Sequence, residues 1–199
     1  MKQIKFSICT ASLFMLMSCV DLNLNPLSEG SSENWYSSQA EIEMSLNDFY
    51  RTDFFPIDDM KWGDDVTARN ETSAVNNGTL TSEDGTIAKR WENYYKGIAR
   101  ALRIINNMDR ARAMGVSERD IAQYEGEAYF YLGYAYGMLA FHWGDAILDK
   151  VGMSLDEAYT ASRSPKADVL AYSYECLDKA AERLPNSYPG IQRATKGAA

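Results

Sequence analysis

The chain has 199 residues and is acidic, with 28 Asp and Glu against 20 Lys and Arg and a formal net charge of −8. Such a balance disfavours binding to nucleic acids and anionic membrane surfaces, and it favours a neutral or cationic ligand, or simply solubility. The single histidine leaves little scope for Cys–His or Ser–His–Asp catalysis.

The N-terminus has the pattern of a bacterial lipoprotein signal. Lys2 and Lys5 precede an apolar segment over residues 6–17 that is too short to span a membrane. The Leu-x-Ser-Cys sequence ending at Cys19 resembles a lipobox, in which cleavage before the cysteine is coupled to its lipidation. An ordinary secretory signal with a chance cysteine is the alternative. We predict a signal peptide over residues 1–18 and lipidation of Cys19, because several acyl chains on one residue hold a soluble domain at a bilayer.

The segment after the signal is predicted to be a lipidated tether over residues 19–32. It is polar, contains Asn, Pro, Gly and Ser, and would reach about 40 Å if fully extended. Cleavage removes two lysines and no acid, which changes the formal charge from −8 to −10. It also removes Cys9, and lipidation uses Cys19. Cys176 is then left alone, so we expect no internal disulfide and a small buried apolar role for Cys176.

Apolar residues recur at helical spacing along much of the chain after residue 33. Ser38 followed by Glu41 predicts the start of a first helix, and Ser117 predicts the start of the longest one. Pro165 is expected at the first position of a later helix, which Pro185 ends. The predicted helices after the first cover residues 86–113, 119–145, 154–160, 165–184 and 196–199.

Residues 119–145 are predicted to form the buried central helix. Over residues 128–143 they include no Asp, Glu, Lys or Arg, and a helix that is apolar nearly all round must be surrounded by other elements. The uncharged run is shorter than the roughly 20 residues of a membrane span and is rich in tyrosine, so we assign it to a soluble core. Gly126, Gly133 and Gly137 form one stripe. Each costs up to about 1 kcal/mol in a helix interior, so we expect another helix to approach closely there.

Residues 52–85 show no sustained periodicity and are predicted to form a long loop. Long ordered loops often carry function. Trp62 lies there beside Lys61, Asp64 and Asp65, and a tryptophan face stacks well on the apolar C–H side of a sugar ring. We predict that Trp62, Asp64 and Asp65 contact a ligand, with a solvated loop as the alternative. The acids lack the spacing of a calcium-binding EF-hand, so we predict no metal site.

No catalytic motif stands out in the sequence. It contains no CxxC, no HExxH and no glycine-rich phosphate loop, and its many acids do not single out a glycosidase-like pair. His142, at the end of the predicted central helix, is interpreted as structural because an imidazole suits a helix C-terminus. We therefore predict no enzymatic activity, no catalytic residue and no cofactor.

Several short motifs nevertheless occur together in a typical order. The helix before Pro185 fits the second half of a tetratricopeptide pattern through Ser173, Leu177 and Ala180. From Cys19 onward the chain resembles the N-terminal half of the SusD/RagB family of outer-membrane nutrient-binding lipoproteins. The resemblance rests on Cys19-x-Asp21-Leu22-x-x-x-Pro26, Trp91-x-x-Tyr94-Tyr95-x-x-Ile98, Ile104-Ile105-Asn106, Tyr124-x-Gly126-Glu127-Ala128-x-Phe130, Trp143-Gly144-Asp145, Arg163, Leu177-Asp178-x-Ala180, Leu184-Pro185 and Arg193-x-Thr195-Lys196-Gly197-Ala198-Ala199.

The resemblance implies an all-α, tetratricopeptide-like helical repeat scaffold with long loop excursions. It implies a non-catalytic glycan-binding lipoprotein, anchored in the outer membrane and facing the cell surface. Such a protein is a lid on a SusC-like TonB-dependent transporter that takes up polysaccharides or oligosaccharides, and no nucleic acid is involved. Two alternatives stay open. One is a peptide-binding RagB-like subunit, and the other is a helical-repeat interaction lipoprotein, or a non-functional fragment, with no small ligand of its own.

The chain departs from the family pattern in two ways. Leu132 and Gly133 stand where the family usually has an Arg-Ala pair, and we expect a packing adjustment there. Family members are also more than twice as long, so residues 33–199 are interpreted as a SusD-like N-terminal helical domain truncated at its C-terminal end. We expect much of the ligand and partner surface to lie elsewhere, and the fragment to be less stable than its parent.

Overall fold

The computed structural model describes residues 35–56 and 74–199, and helices dominate both ranges. The one strand-like pairing found within them is an antiparallel bridge between Ala146 and Ser164. The prediction of an all-α fold is therefore confirmed. In chain order the helices are α1 (Gln39–Asn47), α2 (Gly85–Asn106), α3 (Met108–Ala113), α4 (Glu118–His142), α5 (Leu155–Thr160) and α6 (Lys166–Arg183), with short 3-10 turns at Asp48–Tyr50 and Lys196–Ala198.

Helix α4 lies at the centre of the scaffold, as predicted. Ser117 is its N-cap and accepts a hydrogen bond from the Asp120 amide, which satisfies one of the free first-turn donors. Tyr131, Leu132 and Tyr136 on α4 are fully buried. In the described ranges, neither α4 nor any other helix combines the length and apolarity needed to cross a membrane.

The glycine stripe of α4 is the seam against α6, as predicted. A Cβ atom on Gly133 would lie 2.6 Å from Leu177 Cγ and 3.0 Å from the Ser173 carbonyl oxygen. Gly126 and Gly137 also face α6, nearer its end and nearer its start respectively, so the two helices run antiparallel. Ser173 Oγ donates a hydrogen bond to the Gly133 carbonyl at 2.7 Å. Because the glycines have no side chains, the α4 and α6 backbones lie close enough for the Ser173 hydroxyl of α6 to bond to a carbonyl of α4.

Helix α2 packs on α4 away from this seam. A Cβ atom on Gly97 would collide with the hydroxyl end of the buried Tyr131 ring, so glycine is required there for the ring to fit. Phe49, from the turn after α1, stacks on the same ring with centroids 4.7 Å apart and planes within 6° of parallel. Tyr131 thus connects α1, α2 and α4 in one apolar cluster.

The prediction of one helix over residues 86–113 was wrong in one respect. Helix α2 ends at Asn106 and α3 starts at Met108. Between them Asn107 leaves the helical region, with φ −106° and ψ 6°. Its side-chain amide donates to the Arg103 carbonyl at 2.7 Å. This local bond competes with the continuing helix, which is why asparagine is a poor interior helix residue.

Helix α1 begins with the predicted capping box. Ser38 Oγ accepts from the Glu41 amide at 3.3 Å, and the Glu41 carboxylate accepts from the Ser38 amide at 3.1 Å. Helix α6, in contrast, starts one residue later than predicted. Pro165 has φ −54° and ψ 144° and is its N-cap rather than its first residue. The Asp145 carboxylate accepts from the Lys166 amide at 2.9 Å and caps the first turn of α6 from outside it.

Two tyrosine hydroxyls fix the connection after α4. Tyr136 donates to the Asp149 carbonyl and accepts from the Asp149 amide, both at 2.8 Å. Tyr95 on α2 donates to the Ile147 carbonyl at 2.9 Å and accepts from the Ile147 amide at 2.7 Å. Burial raises the pKa of Tyr95 to about 12. Because each hydroxyl is both donor and acceptor, this loop has a defined position relative to α2 and α4.

Candidate ligand-binding site

Four residues that the sequence assigns to anchoring or binding lie outside the described residues. They are Cys19, Trp62, Asp64 and Asp65. The signal peptide (residues 1–18) and the tether (residues 19–32) also lie outside the described residues. So do residues 33 and 34, the first two of the predicted helical domain. These roles stay predictions, and the site below is built from other residues.

A cavity of about 510 Å³ lies where the end of α4 meets the first turns of α2. Small-molecule sites usually have volumes of roughly 300–1,000 Å³. Leu80, Ile87 and Trp143 form its apolar part. Guanidinium, hydroxyl and imidazole groups form the rest. These polar lining residues are Thr81, Ser82, Arg90, His142 and Arg163.

Two tryptophans and an arginine organise one wall of this cavity. Trp91 on α2 meets Trp143 nearly edge to face, with ring centroids 5.3 Å apart and planes at 72°. The Arg163 guanidinium carbon lies 4.8 Å from the centroid of the Trp91 ring. This is a cation–π distance, so the Trp91 ring helps to position the guanidinium. The Trp91 ring therefore contacts both Trp143 and Arg163, which line the cavity.

The exit from α4 explains why Trp143 and Arg163 meet. Gly144 has φ +77°, the left-handed conformation that turns a chain sharply away from a helix end. The central helix itself ends at His142, three residues before the predicted end at residue 145. The Ala146 amide then donates to the Ser164 carbonyl at 3.2 Å, and the Ser164 amide donates to the Ala146 carbonyl at 2.8 Å. This bridge returns the chain to the end of α4 and places Arg163 beside Trp143.

A second cavity, of about 420 Å³, shares Arg90 with the first. It contains charges of both signs, because Asp53 lines it together with Lys89. Lys89 Nζ is also paired with Glu92 at 3.1 Å on an exposed face of α2.

A buried charge network lies on the N-terminal half of α4. Glu127 is 2% exposed, and its carboxylate accepts from Arg193 Nη1 at 2.6 Å. The hydroxyls of Tyr50 and Tyr188 donate to the same carboxylate at 3.0 and 3.4 Å. Burial lowers the pKa of Arg193, but the Glu127 carboxylate outweighs this effect and raises the pKa above its usual value. Because three donors surround it, the Glu127 carboxylate links α4 to the segments that contain Tyr50, Tyr188 and Arg193. Its role is therefore structural.

The described residues also limit what chemistry the chain can perform. Cys176 is a free, buried cysteine, and burial raises the pKa of its thiol to about 11. The thiol is therefore protonated and unreactive near neutral pH, in agreement with the small buried role predicted for it. Across residues 35–56 and 74–199, no three His, Cys, Asp or Glu side chains are grouped as metal ligands would be.

Antiparallel helices packed on a central helix, with a polar and aromatic cavity at its end, define an all-α scaffold of the tetratricopeptide-like type. Comparison with known proteins agrees with this class. A family model described as SusD-like, starch-binding and associating with the outer membrane matches residues 28–199. The match covers most of the chain, and the chain belongs to the SusD-like family.

Individual relatives are distant and longer. SusD-like protein P2 of Formosa agariphila is 24% identical over 195 residues, which cover 88% of this chain and 37% of that protein. The crystal structure of a SusD superfamily protein from Bacteroides vulgatus has a TM-score of 0.71 at 20% identity and covers 82% of this chain and 38% of that one. A SusD-like carbohydrate-binding protein from Bacteroides fragilis has a TM-score of 0.67 at 20% identity, over 83% and 36% of the two chains. The chain therefore spans little more than a third of these relatives, and the two structures establish a common fold.

Sequence reasoning found part of this site without recognising it. Trp143 and Arg163 belong to the motifs that carry the family resemblance, but the sequence alone assigns neither of them to ligand contact. Arg90 and the hydroxyls of Thr81 and Ser82 carried no signal at all. The cavity depends on the bridge that returns the chain to α4, and nothing in the local pattern of residues predicts that pairing.

Proposed function

We propose that this chain is a non-catalytic glycan-binding lipoprotein of the outer membrane, anchored by a lipid on Cys19 and facing the cell surface. It acts with a SusC-like TonB-dependent transporter in the uptake of polysaccharides or oligosaccharides. The starch-binding and outer-membrane description of the family, and the carbohydrate-binding relative from Bacteroides fragilis, support this ligand class and location.

The observation that carries the proposal is the cavity at the end of α4. A sugar ring has an apolar C–H face that packs on an aromatic ring, and a rim of hydroxyls that need hydrogen-bond partners. Trp143 provides an aromatic surface, while Thr81 and Ser82 provide hydroxyls in the same cavity. The cavity offers both kinds of surface at once, which a purely structural gap between helices would not need.

A tryptophan in the predicted loop is a second proposed contact. Trp62, with Asp64 and Asp65 close to it in sequence, has an aromatic face for stacking and carboxylates that accept hydrogen bonds from sugar hydroxyls. We propose that these three residues bind the same glycan as the α4 cavity or a neighbouring unit of it.

Calorimetry and affinity electrophoresis of the purified chain against a glycan panel test the binding function. The panel includes xyloglucan, starch, pectin and a sulfated galactan, and a set of random peptides is tested in parallel. We expect at least one glycan to bind, and Trp62→Ala to weaken that binding. Tyr159→Ala is the matched control, because Tyr159 is an 80% exposed aromatic residue on α5. Binding of peptides alone would favour the RagB-like alternative and reject the proposal.

Two further measurements test the non-catalytic role and the partner. Incubation with any glycan that binds should release no new reducing ends, and release would indicate a hydrolase. A tagged chain expressed in its native host should co-purify with a TonB-dependent transporter. Co-purification with the transporter but binding to no glycan would favour the interaction-lipoprotein alternative.

A further inference from the structure

We propose that Val151, Leu155 and Tyr159, on helix α5 and the turn before it, form a docking surface for the SusC-like transporter. On the transporter, this α5 surface meets an apolar hollow rimmed by Lys and Arg side chains. The inference rests on the proposed partnership with a transporter, and it names the part of the chain that makes the contact.

Helix α5 exposes apolar side chains of the kind that a helix normally buries. None of its six residues is buried. Leu155 and Tyr159 are 70% and 80% exposed, and Val151, shortly before the helix, is 72% exposed. Leu155 and Tyr159 are four positions apart, so they lie on the same side of the helix. Single exposed apolar residues are common on protein surfaces, whereas a group of them indicates an interaction site.

Helix α5 is stabilised by its own caps and not by the core. An isolated helix needs about 12–15 residues to be stable in water, and α5 has six. A capping box compensates in part. The Glu157 amide donates to Ser154 Oγ at 3.3 Å, and the Ser154 amide donates to the Glu157 carboxylate at 2.8 Å. In the described part of the chain, the side-chain hydrogen bonds of residues 154–160 stay within that range. The apolar side of α5 is therefore left for a partner.

The turn before α5 holds this exposed helix in a defined position. The Asp149 carboxylate accepts hydrogen bonds at 3.1, 2.6 and 2.9 Å from three successive amides, those of Val151, Gly152 and Met153. The side-chain amide of Asn106, at the end of α2, donates to the Val151 carbonyl at 2.7 Å. A surface that is ordered before binding loses less conformational entropy when it docks. The turn therefore presents α5 without burying it.

The charge around the α5 surface indicates a basic partner. Residues 151–162 contain Asp156 and Glu157 and no Lys or Arg. The basic residues that flank this range, Lys150 and Arg163, each lie against an aromatic ring of another helix. Two copies of the chain would bring like charges together, and an anionic membrane surface would repel the segment. A protein surface with Lys and Arg around an apolar hollow complements both the acids and the apolar side chains.

Leu155 and Tyr159 are anchors within a larger contact. A stable protein interface buries about 1,200–2,000 Å² in total, which is more than a six-residue helix provides. A few central side chains nevertheless carry most of the binding energy, and tyrosine is common among them. A lipid on Cys19 would place the chain in the same membrane as the transporter and raise its effective concentration there. A contact of limited area is then sufficient.

Co-purification of a tagged chain with the transporter from the native host tests the α5 surface. The double variant Leu155→Ala, Tyr159→Ala should recover about tenfold less transporter than the native chain, because truncation of central anchors weakens binding to that extent. Alanine favours helix, so α5 should persist in this variant. The matched control is Met114→Ala with Tyr174→Ala, which removes two exposed apolar side chains beside α3 and on α6 and should keep full recovery. Melting curves establish that each variant is folded.

A charge substitution tests the basic rim. Asp156→Asn removes a carboxylate from α5, so it should lower recovery of the transporter and make it less sensitive to added salt. Asp178→Asn is the control, because it removes the same charge from an exposed position on α6. An equal loss in both variants would assign the effect to overall charge and overturn the α5 surface.

Photo-crosslinking identifies what the α5 surface touches. p-Benzoylphenylalanine in place of Tyr159 should form an adduct with the transporter, and the same residue in place of Tyr174 should not. An adduct between two copies of the chain, or none with the transporter, would overturn the inference. Recovery of the transporter that the two alanine substitutions leave unchanged would overturn the inference alone. Recovery of no transporter by the native chain would overturn the proposed partnership as well.

Discussion

Arg193 Nη1 lies 2.6 Å from Glu127 Oε2, across 66 positions of the sequence. Both side chains are largely buried, at 12% and 1% exposure. Glu127 belongs to the Gly-Glu-Ala motif of α4, and Arg193 opens the Arg-x-Thr-Lys-Gly-Ala-Ala motif. Two of the motifs that carry the family resemblance therefore meet in one buried ion pair, which fastens the C-terminal segment to the central helix.

Removing Arg193 should destabilise the protein strongly. Arg193→Ala leaves the Glu127 carboxylate buried beside two tyrosine hydroxyls and without a counter-charge. Loss of one partner from a buried pair typically costs about 3–5 kcal/mol. Urea unfolding should show a lower midpoint with a similar slope.

An exposed arginine provides the comparison for this prediction. Arg112 also pairs with carboxylates, but its side chain is 37% exposed and that of its nearest partner, Asp109, is 95% exposed. Exposed pairs contribute about 0–1 kcal/mol, so Arg112→Ala should have a small effect. Equal effects of the two substitutions would contradict a structural role for the buried pair.

Filling the glycine seam should separate α4 from α6. A methyl group on Gly133 would lie 2.6 Å from Leu177 and 3.0 Å from a backbone carbonyl of α6. Overpacking costs about 1–3 kcal/mol, against a gain of about 1 kcal/mol in helix propensity. We expect Gly133→Ala to be destabilising overall in thermal melts. Gly137→Ala, with its nearest new contact at 3.2 Å, should be close to neutral, and a reversed order of the two would contradict the seam.

The seam, the caps and the central helix could be predicted because their signals are local. Ser38, Ser117 and the glycine stripe act within a few residues of the helices that they define. Gly97 was missed because its requirement comes from Tyr131, a ring on another helix. Asn107 was missed because the helical period continues across it, while its own side chain ends the helix.

The candidate site was harder to predict than the fold, because composition and net charge describe the whole chain and not one cavity. Net charge sums over the whole chain, so it does not indicate which charged side chains line a given cavity, such as Arg90 and Arg163 here. Arg90 and Arg163 are far apart in sequence and are brought together by the bridge after α4. Trp62 was singled out because it lies in a predicted loop, where helix packing gives no reason for a tryptophan.

Cys176 should make the protein more sensitive to alkali. Burial raises the pKa of its thiol from 9.0 to about 11, so the folded state holds the proton more tightly than the unfolded state. The resulting stability is complete below about pH 9 and is lost as the pH rises toward 11. Urea midpoints measured from pH 7 to pH 11 should therefore fall more steeply for the native sequence than for Cys176→Ala. Parallel curves for the two proteins would contradict the shift.

The N-terminal cysteine should decide where the protein is found. Lipidation of Cys19 would hold the chain at the outer membrane, because each buried CH₂ of an acyl chain contributes about 0.8 kcal/mol. Cys19→Ser removes the only acceptor in the predicted lipobox, so the protein should move from the membrane fraction to the soluble fraction and lose incorporation of a labelled fatty acid. Cys176→Ser is the control, since it removes a thiol that is buried in the fold. Labelling that persists in Cys19→Ser would reject the lipoprotein assignment, and a soluble, unlabelled native protein would support the ordinary secretory signal.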